Sequence, residues 1–127
     1  MNNLRKIVAT VLVALCVIGY SSAALASRAT FTNKRIYGGA SQTITSMARD
    51  RDINIEQRVD SVNWNGQSDW KFRGYNGNQT CTKLASIGGT GNWLANFTQR
   101  APIVTVRESI GSSNTASYLS FSGIVYV

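Results

Sequence analysis

Trp70-Lys71-Phe72-Arg73-Gly74-Tyr75-Asn76-Gly77-Asn78-Gln79-Thr80-Cys81-Thr82-Lys83-Leu84 decides the fold. Trp70 to Arg73 alternate apolar with basic residues, the period-two pattern of a strand with one buried and one solvated face. Asn76-Gly77-Asn78 is turn chemistry, and Thr80 to Leu84 resumes as a strand. The same grammar runs outward in both directions. Downstream, Gly88-Gly89-Thr90-Gly91-Asn92 reads as an irregular loop, with Trp93, Leu94 and Phe97 as core residues beside it. Ile103-Val104-Thr105-Val106 has high β-propensity and follows the single proline, Pro102, which suits the start of a strand. Gly111 to Asn114 breaks the chain again before an alternating tail from Tyr118 to Val127. Upstream, Phe31 to Tyr37, the break at Gly38-Gly39 and Ser41-Gln42-Thr43-Ile44-Thr45 form a hairpin signature. Val59 to Trp64 alternates ahead of the turn dipeptide Asn65-Gly66. Strand-length segments joined by turn residues predict an all-β sandwich or small barrel.

Met1 to Ala26 read as an export signal. Arg5 and Lys6 form a positive end, and Ile7 to Gly19 is an apolar run of thirteen residues, too short to cross a bilayer comfortably. Ala24-Leu25-Ala26 supplies the small-x-small cleavage pattern. The working chain is then about 101 residues from Ser27 onward, a single domain, secreted or periplasmic, and not integral to a membrane. The formal charge is +7, and without Arg5 and Lys6 eleven Lys and Arg stand against six Asp and Glu, or +5. Such an excess favours anionic surfaces: acidic glycans, lipid head groups or nucleic acid. The basic residues are scattered rather than gathered on one element, which argues against nucleic acid. The expected partner is a protein of unknown kind or an anionic glycan or surface.

Cys16 falls in the signal, so Cys81 is left alone and no internal disulfide is available. An unpaired thiol outside the cytoplasm is either buried or joined to another chain. The second alternative predicts an intermolecular disulfide at Cys81 and a homodimer. The chain has no His, which removes Ser-His-Asp and Cys-His catalysis and the usual zinc ligands. Four of the six carboxylates, Asp50, Asp52, Glu56 and Asp60, lie within eleven residues of polar sequence. The expectation is a non-catalytic protein.

Two halves can be laid over each other. Ile55-Glu56-Gln57-Arg58-Val59-Asp60-Ser61-Val62 and Phe97-Thr98-Gln99-Arg100-Ala101-Pro102-Ile103-Val104 both place a Gln-Arg pair in the same register after an apolar residue. With these segments, Phe31, Tyr37, Gly38, Gly39 and Ser41 look like the aromatic-x-Gly corner and following Ser of the βγ-crystallin family. Trp70 and Phe72, with Tyr75, are similar to the aromatic strand of a second key whose glycine corner is not clearly present. The resemblance runs from Ala29 to about Arg107. It implies a Greek-key β-sandwich over residues 27–107, followed by a C-terminal strand extension over 108–127.

The resemblance also implies where calcium, the only cofactor expected, would sit. The first motif retains Glu56, Asp60 and Ser61 with Arg58 among them, and the second has lost its acidic residue and its Ser-Ser end. One weak Ca2+ site, or none, is the expectation, since calcium needs six to eight oxygen ligands. The function that follows is an exported, non-catalytic binding or structural module. Two alternatives remain open at this point. One is inhibition of a secreted peptidase through Ser46 to Asp52 or Gly88 to Asn92. The other is a cell-surface assembly or adhesion subunit using the alternating tail, which either closes its own sheet or joins a partner's edge. Trp64, Trp70 and Trp93 are candidates for a sugar-stacking platform or, more simply, for the core.

Overall fold

A computed structural model describes residues 27–65 and 69–127. The export signal with Cys16, and Gly66 of the expected turn, lie outside the described residues. Among the described residues nine strands are formed: β1 Arg28–Tyr37, β2 Gln42–Ala48, β3 Asn54–Asn63, β4 Trp70–Asn76, β5 Gln79–Thr80, β6 Ala85–Ser86, β7 Gly91–Asn96, β8 Ile103–Ile110 and β9 Tyr118–Tyr126. They build two antiparallel sheets, one in the order β1-β9-β3-β7 and the other β2-β8-β4-β5, with β6 also on β4. Among paired strands only β4 and β5 are consecutive in sequence, so most connections cross between the sheets in Greek-key manner.

Alternation places the core. Trp70 and Phe72 on β4, Val104, Val106 and Ile110 on β8, Ile55 and Val59 on β3, and Leu119, Phe121 and Val125 on β9 all turn inward and are buried. Trp70 packs on Phe121 with ring centroids 5.1 Å apart, and Phe31 meets the same ring at 5.6 Å. Trp64 stands edge-on to Trp70 at 5.9 Å. The expected core residue Leu94 instead faces outward and is half exposed, because it alternates with the inward Ala95.

The hairpin expected around Gly38-Gly39 is an arch. β1 pairs with β9, from Arg28 opposite Tyr126 to Tyr37 opposite Tyr118, while β2 pairs with β8 in the other sheet. Gly38 N–H donates to Ser117 O (2.8 Å) and Gly39 N–H to Ser112 O (2.7 Å), which ties the arch to the β8–β9 loop. A side chain at Gly38 would run into the carbonyls of Asn114 and Ser112, and Gly39 has φ +99°, so both positions require glycine. Ser41 follows the arch as an exposed residue just before β2.

The internal repeat is not reproduced in the local structure. Ile55 to Val62 belong to β3, with Gln57 buried, whereas Phe97 to Pro102 form a turn ahead of β8, with Gln99 exposed. The turn is set by Cys81 O, which accepts from both Thr98 N–H (2.9 Å) and Gln99 N–H (3.4 Å). The extra C-terminal strand expected within 108–127 is β9. The boundary at Arg107 cuts through β8, and β9 lies between β1 and β3, paired on both sides. Its inward row of Leu119, Phe121 and Val125 is core, so β9 closes its own sheet. Thr80 to Leu84 likewise is not one strand: β5 ends at Thr80, and the chain then crosses toward β7, where Thr82 bridges to Phe97.

Candidate functional site

The alternation that buries Trp70, Phe72 and Gly74 turns Lys71, Arg73 and Tyr75 to the outer face of the second sheet. On β8 the same rule turns Thr105, Arg107 and Ser109 outward. Register then decides the neighbours. Arg73 stands directly opposite Arg107, Lys71 opposite Ser109, and Tyr75 opposite Thr105. Thr43 of β2 lies on the other side of Arg107, and Ser46 Oγ is 3.0 Å from Thr105 Oγ1. The face is therefore three cations set among hydroxyl groups and one tyrosine ring. Its acidic neighbour is Asp69 at the border, 3.7 Å from Lys71 Nζ. Arg73 Nε–H donates to Thr82 O (3.2 Å), and the Arg107 guanidinium lies 4.6 Å from the centre of the Tyr75 ring. Both arginines are thus held in place, and neither has a carboxylate within salt-bridge reach among the described residues.

The outer face of the first sheet is mixed in sign. Arg51 pairs with Glu56 at 3.5 Å and Arg58 with Asp60 at 3.0 Å. These contacts bear on the expected calcium site. Glu56 to Ser61 form part of a strand paired with both β7 and β9, not a loop, so their oxygens project at intervals along the strand. Glu56 and Asp60 are engaged with different arginines, and among the described residues no three His, Cys, Asp or Glu side chains are grouped to hold a metal.

Cys81 is fully buried, the first of the two alternatives that its lone thiol left open. Burial pushes its thiol up, against the opposing field of Arg49, so the sulfur is both hidden and held protonated. The three tryptophans do not make a platform: Trp64 and Trp70 pack on each other, and Trp93 donates to Gly89 O (2.9 Å). At one end of the sandwich, Arg49 to Asp52 and Arg100 to Pro102 line an open cleft of about 440 Å³. Two of its arginines serve the loop itself. Arg49 lies over the Phe97 ring at 4.2 Å and donates to Arg51 O (2.7 Å) and Asp52 O (2.9 Å), and Arg51 donates to Asn54 O (2.9 Å). Ser46 to Asp52 is accordingly half strand and half this braced turn, and Gly88 to Asn92 runs into β7.

One polar cluster is internal and has no counterpart in the sequence reading. Glu108 on β8 is fully buried, and its Oε1 accepts from Trp70 Nε1–H (2.6 Å) and Gln57 Nε2–H (3.2 Å). Burial pushes its carboxyl up to about 8, opposed by the bonds from Gln57 and Trp70 and by the charge of Lys34. The signal was present in Val104-Thr105-Val106-Arg107-Glu108, where strict alternation puts Glu108 on the apolar side. No family model, curated protein or solved structure matches this chain.

Proposed function

We propose that the protein is an exported, non-catalytic β-sandwich module that binds anionic polymers, foremost acidic glycans, on the outer face of its second sheet. The observation that carries this reading is the cross-strand pair Arg73 and Arg107, opposite each other in register, each guanidinium held by an uncharged neighbour and with no carboxylate within salt-bridge reach among the described residues. Like charges in directly opposed positions destabilise a sheet, by roughly 0.2–1 kcal/mol. A bound row of sulfates or carboxylates offsets that repulsion and accepts paired N–H donors from each guanidinium. Ser46, Thr105, Ser109 and Tyr75 add the neutral hydroxyl groups that suit sugar hydroxyls. An open sheet face fits an extended chain better than a small molecule, which requires a concave site.

The test is retention on a sulfated polysaccharide column, compared between wild type and the double variant R73Q/R107Q. The variant should elute at distinctly lower salt, with an affinity weakened by about tenfold, equivalent to about 1.4 kcal/mol. Its folded stability should be unchanged or slightly raised, since the like-charge pair is gone. Equal elution of the two proteins would remove this face as the binding site. Vesicles of anionic lipid, run alongside, separate a glycan ligand from a membrane surface.

A further inference from the structure

We infer that Glu108 is held as a neutral carboxylic acid whose Oε2–H donates to Gln57 Oε1, closing a two-bond acid–amide ring that clasps the sheets together and opens as the pH rises. Gln57 comes from β3 in the first sheet and Glu108 from β8 in the second, and both are fully buried. The first bond of the ring is the one from Gln57 Nε2–H to Glu108 Oε1. With the bond from Trp70, it uses both lone-pair directions of that oxygen.

Two buried side-chain atoms among the described residues remain without a partner, and they are Glu108 Oε2 and Gln57 Oε1. If Glu108 were ionised, both would be bare acceptors, a carboxylate oxygen and an amide oxygen, unable to satisfy each other. A single proton on Oε2 satisfies both at once. The geometry favours it, because the two carboxyl oxygens share one carbon, as do the amide oxygen and nitrogen. When the two groups are coplanar, a bond on one side of such a pair leaves the other two atoms facing each other.

The surroundings also favour the neutral form. A buried carboxylate without an ion-pair partner is costly. Lys34, on β1, is the charged group whose field reaches Glu108, and it forms no ion pair with it. The residues opposite Glu108 in register, Gln42 on β2 and Phe72 on β4, are uncharged. So are Gln57 on β3 and the inward row of Leu119, Phe121 and Val125 on β9. The carboxyl ordinarily titrates at 4.5 and in the folded protein at about 8. Between those values the folded chain keeps a proton that the unfolded chain has lost, so stability is fullest below the lower value. It falls as pH rises toward the upper one, by up to about tenfold in the folding equilibrium per pH unit.

The test compares urea unfolding midpoints of wild type, E108Q and E108L from about pH 5 to about pH 9. Gln at this position can form the same ring without a titrating proton, since its Nε2–H replaces the acid donor. Wild type and E108Q should nearly coincide at the acidic end, and wild type should fall progressively below E108Q as the pH rises. E108L, which leaves Gln57 and Trp70 unpartnered, should lie below E108Q at every pH by more than tenfold in the folding equilibrium. A constant gap between wild type and E108Q, or equal stability of E108L and E108Q, would overturn the clasp. Should E108Q not fold, the NMR titration of the Glu108 Cδ carbon in the wild-type protein decides. A midpoint well above the ordinary carboxylate range supports the neutral acid, and an ordinary midpoint refutes it.

Discussion

At the scale of single residues, the same strand segment supplies both an outward cation and an inward acid. Arg107 and Glu108 are adjacent, and alternation sends one to each face of β8. Arg107 and Arg73 could each be read from the sequence as solvated positions, but their opposition could not, because it depends on the β4–β8 register. Cys81 carries a plainer lesson. Its isolation in the sequence left two alternatives, burial as the commoner outcome and a chain-linked thiol as the sharper one, and in the fold Cys81 is buried. A thiol-specific reagent should therefore label the native protein at least about tenfold more slowly than the urea-unfolded chain, as expected for a buried, protonated thiol. Rapid labelling without denaturant, or a disulfide-linked dimer on a non-reducing gel, would contradict this placement.

At the scale of elements, the sandwich shields one edge of each sheet by irregularity. β1 shifts register between Phe31 and Lys34, and β2 shifts between Thr43 and Thr45. Both are edge strands, and bulges there blunt pairing with other chains. Within the bulge of β1, Asn33 takes φ +48° and donates its N–H to Ser122 Oγ (3.0 Å), a conformation asparagine tolerates better than most residues. A third irregularity lies at the centre, where β3 shifts between Val59 and Ser61 opposite β9. There the Arg58 carbonyl sits against Gly123 so closely that no Cβ fits. G123A should cost about 1–3 kcal/mol, the usual penalty for overpacking, read as a lowered urea midpoint. A variant as stable as wild type would mean that β3 and β9 can separate freely at this bulge. The expected hairpin failed for a related reason. Gly38-Gly39 has the chemistry of any tight connection, and the partners of β1 and β2, not the glycines, decide that it bridges two sheets.

At the scale of the whole molecule, the C-terminal strand is the keystone. β9 binds β1 on one side and β3 on the other, and it contributes Phe121, on which both Trp70 and Phe31 pack. Deleting residues 108–127 should therefore abolish cooperative unfolding by circular dichroism, whereas a folded remainder would restore the view of that segment as an extension. The sequence by itself determined that the chain is all-β, where most strands lie, and which side of β4 and β8 is apolar. Those properties follow from alternation and turn chemistry, which are local and need no partner. Tertiary structure alone decided that β1 and β2 part company, that Glu56 and Asp60 are held apart along a strand, and that Arg73 meets Arg107. It also brought Gln57 to Glu108 across 51 residues of sequence. Strand partners are chosen by burial of the whole core, and hydrogen bonds between distant strands leave no periodic trace in either one.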